Sequence, residues 1–384
     1  MIKNSKLLID WNISDNDIFH NMNSHVDEID TQPTIMDKAG VELLIKKIGR
    51  CSFPIIHFKF GGGVPLLLGL GYFEKIAGFQ KQCLYEKEYT NIFQINSALI
   101  NEEIISFAKS NRFGFSILID EVQIVHRIND IFQSELKFPD IIFEKMQLLT
   151  KNDMKYELVM TCNDVMIPKI DGVYQFFKSL EGLASVDLII PNPSSQSLMT
   201  KGGLSKIING LFDHWFNDSD CKFDIKILTT LVLSMIGLPQ PNCILTKNCM
   251  REATTLVIVP SGNVYPCNRR VVRENLLGNI AFDEIDHLIL NNFEREKQNR
   301  LDLKMIQSCR FCQWYLSCHG GCPVHFNQRT RQNEYCGELQ SIFGHIKAVL
   351  KERAIMDDDE NIFINDENSI ANQGLKKAIV GFYF

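Results

Sequence analysis

The placement of cysteine constrains this chain more than any other feature. Eight of its twelve cysteines fall in one stretch: Cys243, Cys249, Cys267, Cys309, Cys312, Cys318, Cys322 and Cys336. They read C-x5-C-x12-G-x4-C and, after a gap of 41 residues, C-x2-C-x5-C-x3-C-x13-C. A C-x2-C pair lets one tight turn aim two thiolates at the same centre. Two sets of four soft sulfur ligands suit iron–sulfur clusters or tetrahedral zinc. Within Pro260-Ser261-Gly262-Asn263-Val264-Tyr265-Pro266-Cys267, the glycine marks a hairpin turn that delivers Cys267 to the site. The stretch reads as a metal-binding module.

Composition narrows the surroundings of that module. A chain of 384 residues exceeds one typical domain, and 45% apolar content with mixed charges describes an ordinary globular protein. The net charge of −6, with no compensating basic run, argues against a nucleic-acid surface. No apolar run of signal-peptide type follows Met1-Ile2-Lys3-Asn4, so the thiols are expected in a reducing cytoplasm, as ligands rather than disulfides. The apolar run Ile227 to Leu238 is too short to span a bilayer, and no membrane role is expected.

Upstream of the cysteines, short apolar runs alternate with amphipathic ones. Strands are expected at Leu7–Ile13, Pro54–Phe60, Ile92–Ile95, Gly114–Ile119, Tyr156–Thr161 and Val186–Ile190. Helices are expected at Asp37–Ile48 (with Gly49 as its C-cap), Gly71–Phe79, Asn101–Lys109, Ile131–Leu149, Val173–Leu183, Leu204–Phe216 and Phe223–Ile236. Repeated strand–helix pairs call for right-handed crossovers and a parallel sheet. After Cys336, the spacing of Leu339, Ile342, Phe343, Ile346, Val349 and Leu350 predicts an amphipathic helix. Asp357-Asp358-Asp359-Glu360 then reads as a solvated linker, and Leu375–Phe384 as an added edge strand or a partner-docking tail.

The cysteine order resembles the SPASM domain at the C-terminus of many peptide-modifying radical SAM enzymes. Leu277-Gly278-Asn279-Ile280, Cys318-His319-Gly320-Gly321-Cys322-Pro323 and Tyr335-Cys336 add to the likeness. The resemblance implies an α/β fold, a partial (β/α) TIM-like barrel of radical SAM type followed by the cysteine-rich SPASM domain. It also implies two [4Fe–4S] clusters. By position, Cys243, Cys249, Cys267 and Cys322 would hold the first, and Cys309, Cys312, Cys318 and Cys336 the second. The expected boundaries are 1–240 for the barrel, 241–356 for the iron–sulfur domain and 357–384 for the acidic linker and apolar tail.

Within this resemblance the catalytic centre is missing. Radical SAM enzymes carry C-x3-C-x2-C just after the first strand, whereas residues 1–50 contain no cysteine. Asp15, Asp17, His20, His25 and Asp27 stand in that loop, and hard oxygen ligands do not replace three thiolates. Gly62-Gly63-Val64-Pro65 resembles the Gly-Gly-Glu-Pro loop but lacks the carboxylate that holds the amino group of S-adenosylmethionine. Ile95-Asn96-Ser97 departs from the usual Thr-Asn-Gly. Asn268 follows Cys267 where some relatives, the anaerobic sulfatase maturases among them, have a candidate aspartate base.

The pattern is similar to pseudo-radical-SAM/SPASM proteins associated with ribosomally made peptide (RiPP) systems in Bacteroidetes, over about residues 36–345. That likeness implies no catalytic residue, no S-adenosylmethionine, and a precursor peptide or an active radical SAM maturase as partner. The alternatives are an enzyme whose missing centre a partner supplies and a structural zinc protein. For the enzyme, Asp120, Glu121, Asn163 and Asp164 are the polar groups at strand ends. Cys51 and Cys83 are isolated and read as small core residues, while Trp314 and Tyr315 would shield a cluster from water.

Overall fold

The structure is a computed structural model that describes residues 6–12, 35–62, 65–119, 141–193, 199–238, 245, 254–303, 307–353 and 355–356. In chain order its first half runs β1 (Lys6–Asn12), α1 (Lys38–Arg50), β2 (Ile55–Gly61), α2 (Leu70–Cys83), β3 (Glu88–Ile95), α3 (Glu102–Asn111), β4 (Phe113–Leu118) and α4 (Ile141–Lys151). Next come β5 (Tyr156–Thr161), α5 (Ile170–Ser179), β6 (Leu183–Ile189), α6 (Gly203–Asn217), β7 (Asp224–Ile225) and α7 (Lys226–Met235). The cysteine-rich part supplies β8 (Thr255–Ile258), β9 (Asn263–Tyr265), β10 (Gly278–Asn279), α8 (Ile285–Leu303), α9 (Gln307–Arg310), α10 (Tyr315–Cys318) and α11 (Cys336–Glu352).

These elements form two compact units, each assembled from separated stretches of chain. In the first, comprising 1–118, 141–154 and 249–300, β8, β1, β2, β3 and β4 lie side by side and parallel. The β8–β9 hairpin and β10 continue the sheet antiparallel. One sheet face carries Leu7, Ile9 and Trp11 from β1 and Ile56, Phe58 and Phe60 from β2, all fully buried. Phenylalanines fill this core: Phe93 stacks on Phe113 at 4.5 Å and meets Phe73 of α2 edge-on at 4.8 Å. Lys47, buried on α1, ties the helix to the turn before α8 through the Asp283 carbonyl (2.9 Å) and the Glu284 carboxylate (3.2 Å).

In the second unit, comprising 119–140, 155–248 and 301–384, β5, β6 and β7 are parallel. Helix α11 packs along α6, where His345 bonds Asp213 at 2.6 Å and Glu338 accepts the Ser205 backbone N–H at 2.9 Å. The apolar spacing after Cys336 thus marks the buried face of α11: Leu339, Ile342, Phe343, Ile346 and Leu350. Among the described residues, no helix is long and apolar enough to cross a membrane.

The expected elements recur with shifted ends, and a few differ for physical reasons. Gly49 is not a C-cap. It lies inside α1, where an added Cβ would stand 2.5 Å from the Cys83 backbone oxygen, so glycine allows the end of α2 to approach. Phe223–Ile236 is not one helix, because Asp224–Ile225 pairs with β6 as a short strand before α7 begins. Of Ile131–Leu149, the stretch from Ile141 is helical and 131–140 lies outside the described residues. Residues 357–384 also lie outside them.

One substitution separates glycine's two roles. Gly49→Ala drives a methyl into backbone and is expected to destabilise by about 1–3 kcal/mol. Gly78→Ala, in α2 with nothing within 4 Å of its Cβ position, is expected to stabilise by about 0.5–1 kcal/mol. Denaturant midpoints of the two variants should move in opposite directions.

Candidate metal centre

The second unit brings four of the eight cysteines to one place. Cys309 lies in α9, and Cys312 follows one turn later, its N–H reaching the Cys309 carbonyl at 3.4 Å. Cys318 closes α10, and the chain then takes three left-handed residues in succession: His319 (φ 51°), Gly320 (φ 88°) and Gly321 (φ 74°). A side chain at Gly321 would collide with the Asn333 carboxamide. That carboxamide donates to the Gly320 carbonyl (3.2 Å), and its oxygen accepts the Tyr335 N–H (2.9 Å). The Asn333 carbonyl accepts the Cys336 N–H at 3.0 Å, so one asparagine joins the turn after Cys318 to the start of α11.

Cys309, Cys312, Cys318 and Cys336 border a single pocket, with Trp314, Tyr315, His319, Phe326, Leu339 and Phe343 as much of its wall. Trp314 stacks on Phe343 at 5.6 Å, and the Lys347 ammonium lies 5.5 Å from the Trp314 ring centre. Arg331 brings a positive charge to the rim. Two of the thiols are held toward their protonated forms. Burial pushes Cys318 up to about 12 against the pull of the Gly320 N–H, and Cys336, Cys309 and Cys312 add to the rise. Burial also raises Cys309, with Cys336 and Cys312 next in effect.

Four converging sulfurs behind apolar walls fit a group that binds soft thiolates and is screened from water, as iron–sulfur clusters are. Among the described residues, no group of three or more His, Cys, Asp or Glu side chains could hold a single metal ion.

The other candidates lie elsewhere. Cys322 is buried at the head of the Pro323–His325 turn and is not part of this lining. In the first unit, Cys267 precedes the Asn268–Arg270 turn and its sulfur accepts the Arg269 N–H at 3.4 Å. Its hairpin forms as the sequence predicts, with Gly262 at φ 82° between β8 and β9. Cys243 and Cys249 lie outside the described residues, as do His20, His25, Val64, Asp120 and Glu121. Asn163 caps its turn through the Val165 N–H, while Asp164 accepts the Thr200 N–H at 2.7 Å and so ties that turn to the segment before α6. Cys51 is buried, and burial raises its thiol, while Cys83 is half-buried.

Asn268 donates its side-chain N–H to Asp10, a residue of β1 only 5% exposed. Asp10 also pairs with Lys59, its register partner on β2, at 3.4 Å. Sequence reasoning passed over Asp10, although a charged residue inside an apolar strand was the available signal. It also passed over Gln340, whose carboxamide donates to the Cys336 sulfur at 3.5 Å. Its position four residues after Cys336 is the only hint the sequence offers.

Residues 249–313 match the SPASM model, described as an iron-sulfur cluster-binding domain. The structure of anSMEcpe with bound AdoMet superposes with a TM-score of 0.75 at 20% identity, covering 91% of this chain and 99% of that one. The chain shares the α/β fold of that structure and carries a SPASM match within it. The chain is 27% identical over 320 residues to a cysteine-type anaerobic sulfatase-maturating enzyme of Clostridium novyi, covering 79% of this chain and 83% of the relative. A serine-type counterpart from Bacteroides thetaiotaomicron is 23% identical over 330 residues, with 78% of each chain covered. Streptococcus suis SuiB bound to its precursor peptide SuiA shares the fold at a TM-score of 0.58 and 13% identity, over 86% of this chain and 75% of that one.

The raised Cys318 thiol gives the apoprotein a pH signature. A thiol whose folded value lies above the ordinary thiol value of about 9 favours the fold while protonated. Its contribution is complete below about pH 9 and is lost as pH rises toward about 12. Stability of apoprotein should therefore fall over that window, and Cys318→Ala should flatten the fall; matched chemical denaturation curves of the two proteins check this.

Proposed function

We propose that this chain is a non-catalytic iron–sulfur protein of the radical SAM/SPASM type. In this reading Cys309, Cys312, Cys318 and Cys336 hold one [4Fe–4S] cluster, and Cys243, Cys249, Cys267 and Cys322 hold a second. The observation that carries it is a contrast within one sequence. Four cysteines border one pocket in the SPASM part, yet residues 13–34, directly after β1, contain no cysteine at all. Reductive cleavage of S-adenosylmethionine needs a cluster with an open iron beside the first strand, and this chain supplies no thiolates there.

What remains is a binding scaffold. Its task, in this proposal, is to assist maturation of a ribosomally made peptide, by holding the precursor or the active maturase or by relaying electrons between clusters. The SuiB structure, with a precursor peptide on the same fold, supports a peptide as the occupant. A second reading draws on the length of the likeness to the sulfatase-maturating enzymes, about four-fifths of the chain. In it, the protein acts as an enzyme together with a partner that supplies the missing centre.

Anaerobic purification followed by iron and sulfide analysis tests the first reading. About eight iron and eight sulfide per chain are expected, with no 5′-deoxyadenosine formed from S-adenosylmethionine and a reductant. About twelve iron, or cleavage of S-adenosylmethionine by the isolated chain, overturns it. Zinc without sulfide replaces the clusters by a structural ion.

A further inference from the structure

Three of the four pocket thiols can be sorted by what donates to them. Cys318 receives a backbone N–H from Gly320, and Cys309 the hydroxyl of Ser308. Cys336 differs. It is the first residue of the 17-residue helix α11, and Gln340, one turn along, sends its carboxamide N–H back to the Cys336 sulfur at 3.5 Å. Residues four apart on a helix face the same side, so this contact follows from helix geometry and needs no loop to hold it. Gln340 itself borders the pocket, and its exposed side leaves it free of any packing role in the core.

We propose that Gln340 sets the reduction potential of the cluster held by Cys309, Cys312, Cys318 and Cys336, by donating a hydrogen bond to the Cys336 sulfur. The inference rests on the iron–sulfur reading of the pocket given above. On one-electron reduction the added negative charge spreads onto the cluster's sulfurs, including those of the ligating thiolates. A donor aimed at one of those sulfurs stabilises the reduced form more than the oxidised form, and the potential rises. The partial positive charge at the start of α11 acts on the same atom in the same direction. The carboxamide thus makes this cluster the better electron acceptor, and it does so from a position where side chains can be exchanged without disturbing the fold.

The test is a potentiometric titration of the anaerobically purified full chain, followed by electron paramagnetic resonance. Wild type is compared with Gln340→Leu, which removes the donor, and with Gln340→Glu, which replaces it by a negative charge of the same shape. Both variants should retain the wild-type iron and sulfide. One of the two couples should fall, by a factor of about ten in its reduced-to-oxidised ratio for Gln340→Leu, or about 59 mV for one electron. Gln340→Glu should fall further, while the second couple stays in place. Unchanged potentials at full iron content overturn the role of Gln340 and leave the cluster reading intact. Equal shifts of both couples, or loss of iron in both variants, also overturn it, since the residue would then act on the fold. A wild-type protein without iron and sulfide fails the cluster reading itself, and that failure is visible before any variant is made.

Discussion

Strand β1 is hydrogen-bonded along both edges, parallel to β2 on one side and to β8 on the other. The first unit depends on that double pairing, because it joins residues near the start of the chain to a strand some 250 positions later. Its register puts Leu7, Ile9 and Trp11 into the phenylalanine core and turns Asp10 to the opposite face. A slip of one residue would exchange these faces, burying a carboxylate among rings, so the apolar pattern of β1 fixes where Asp10 stands. Asp10 in turn receives Lys59 from the neighbouring strand and Asn268 from the turn after Cys267. The hairpin that carries a candidate ligand is thereby anchored to the strand with the longest-range pairing in the unit.

In the second unit, the cysteine pocket by itself opposes the ionised sulfurs that a cluster requires. Burial and mutual repulsion hold Cys318 and Cys309 toward their protonated forms. A bound cluster removes those protons and neutralises the thiolates, so its binding free energy is spent partly on ionisation and the rest contributes to folding. The Gln340 carboxamide, which donates to the Cys336 sulfur, acts in the same sense as a bound cluster would, favouring negative sulfur. The Trp314–Phe343 stack screens that charge from water and strengthens each of these interactions.

Much of this arrangement could be read before any coordinates. Helices α1, α6 and α11 announce themselves because a buried stripe on a solvated helix leaves a 3.6-residue period, and Gly262 because a hairpin needs a positive φ where it falls. The parts that escaped are those where tertiary contact sets the residue. Gly49 has the sequence signature of a cap and the physical role of a spacer against Cys83, a partner 34 positions away that periodicity cannot reveal. Asp224–Ile225 looks helical in isolation and becomes strand because an edge of β6 is available. Asn333 resembles any loop asparagine, yet it ties the left-handed turn after Cys318 to the start of α11. The cysteine spacing names a set of candidate ligands. The residues that hold their loops and donate to their sulfurs carry no spacing of their own.

Asn268 joins both themes. Its carboxamide N–H donates to the Asp10 carboxylate, which a second carboxylate at that position could do only by keeping a proton. Two ionised carboxyls side by side, sharing Lys59 in a place where Asp10 is 5% exposed, would push one of them toward its neutral form. The amide avoids that conflict and leaves a hydrogen-bonded acid–base pair that can be buried. Residues 10 and 268 are thus a matched acceptor and donor, with Lys59 supplying the opposite charge. An amide also accepts no proton near neutral pH. The contact that locks the turn after Cys267 onto the sheet is thus a neutral amide on a carboxylate, with Asp10 and Lys59 carrying the charges.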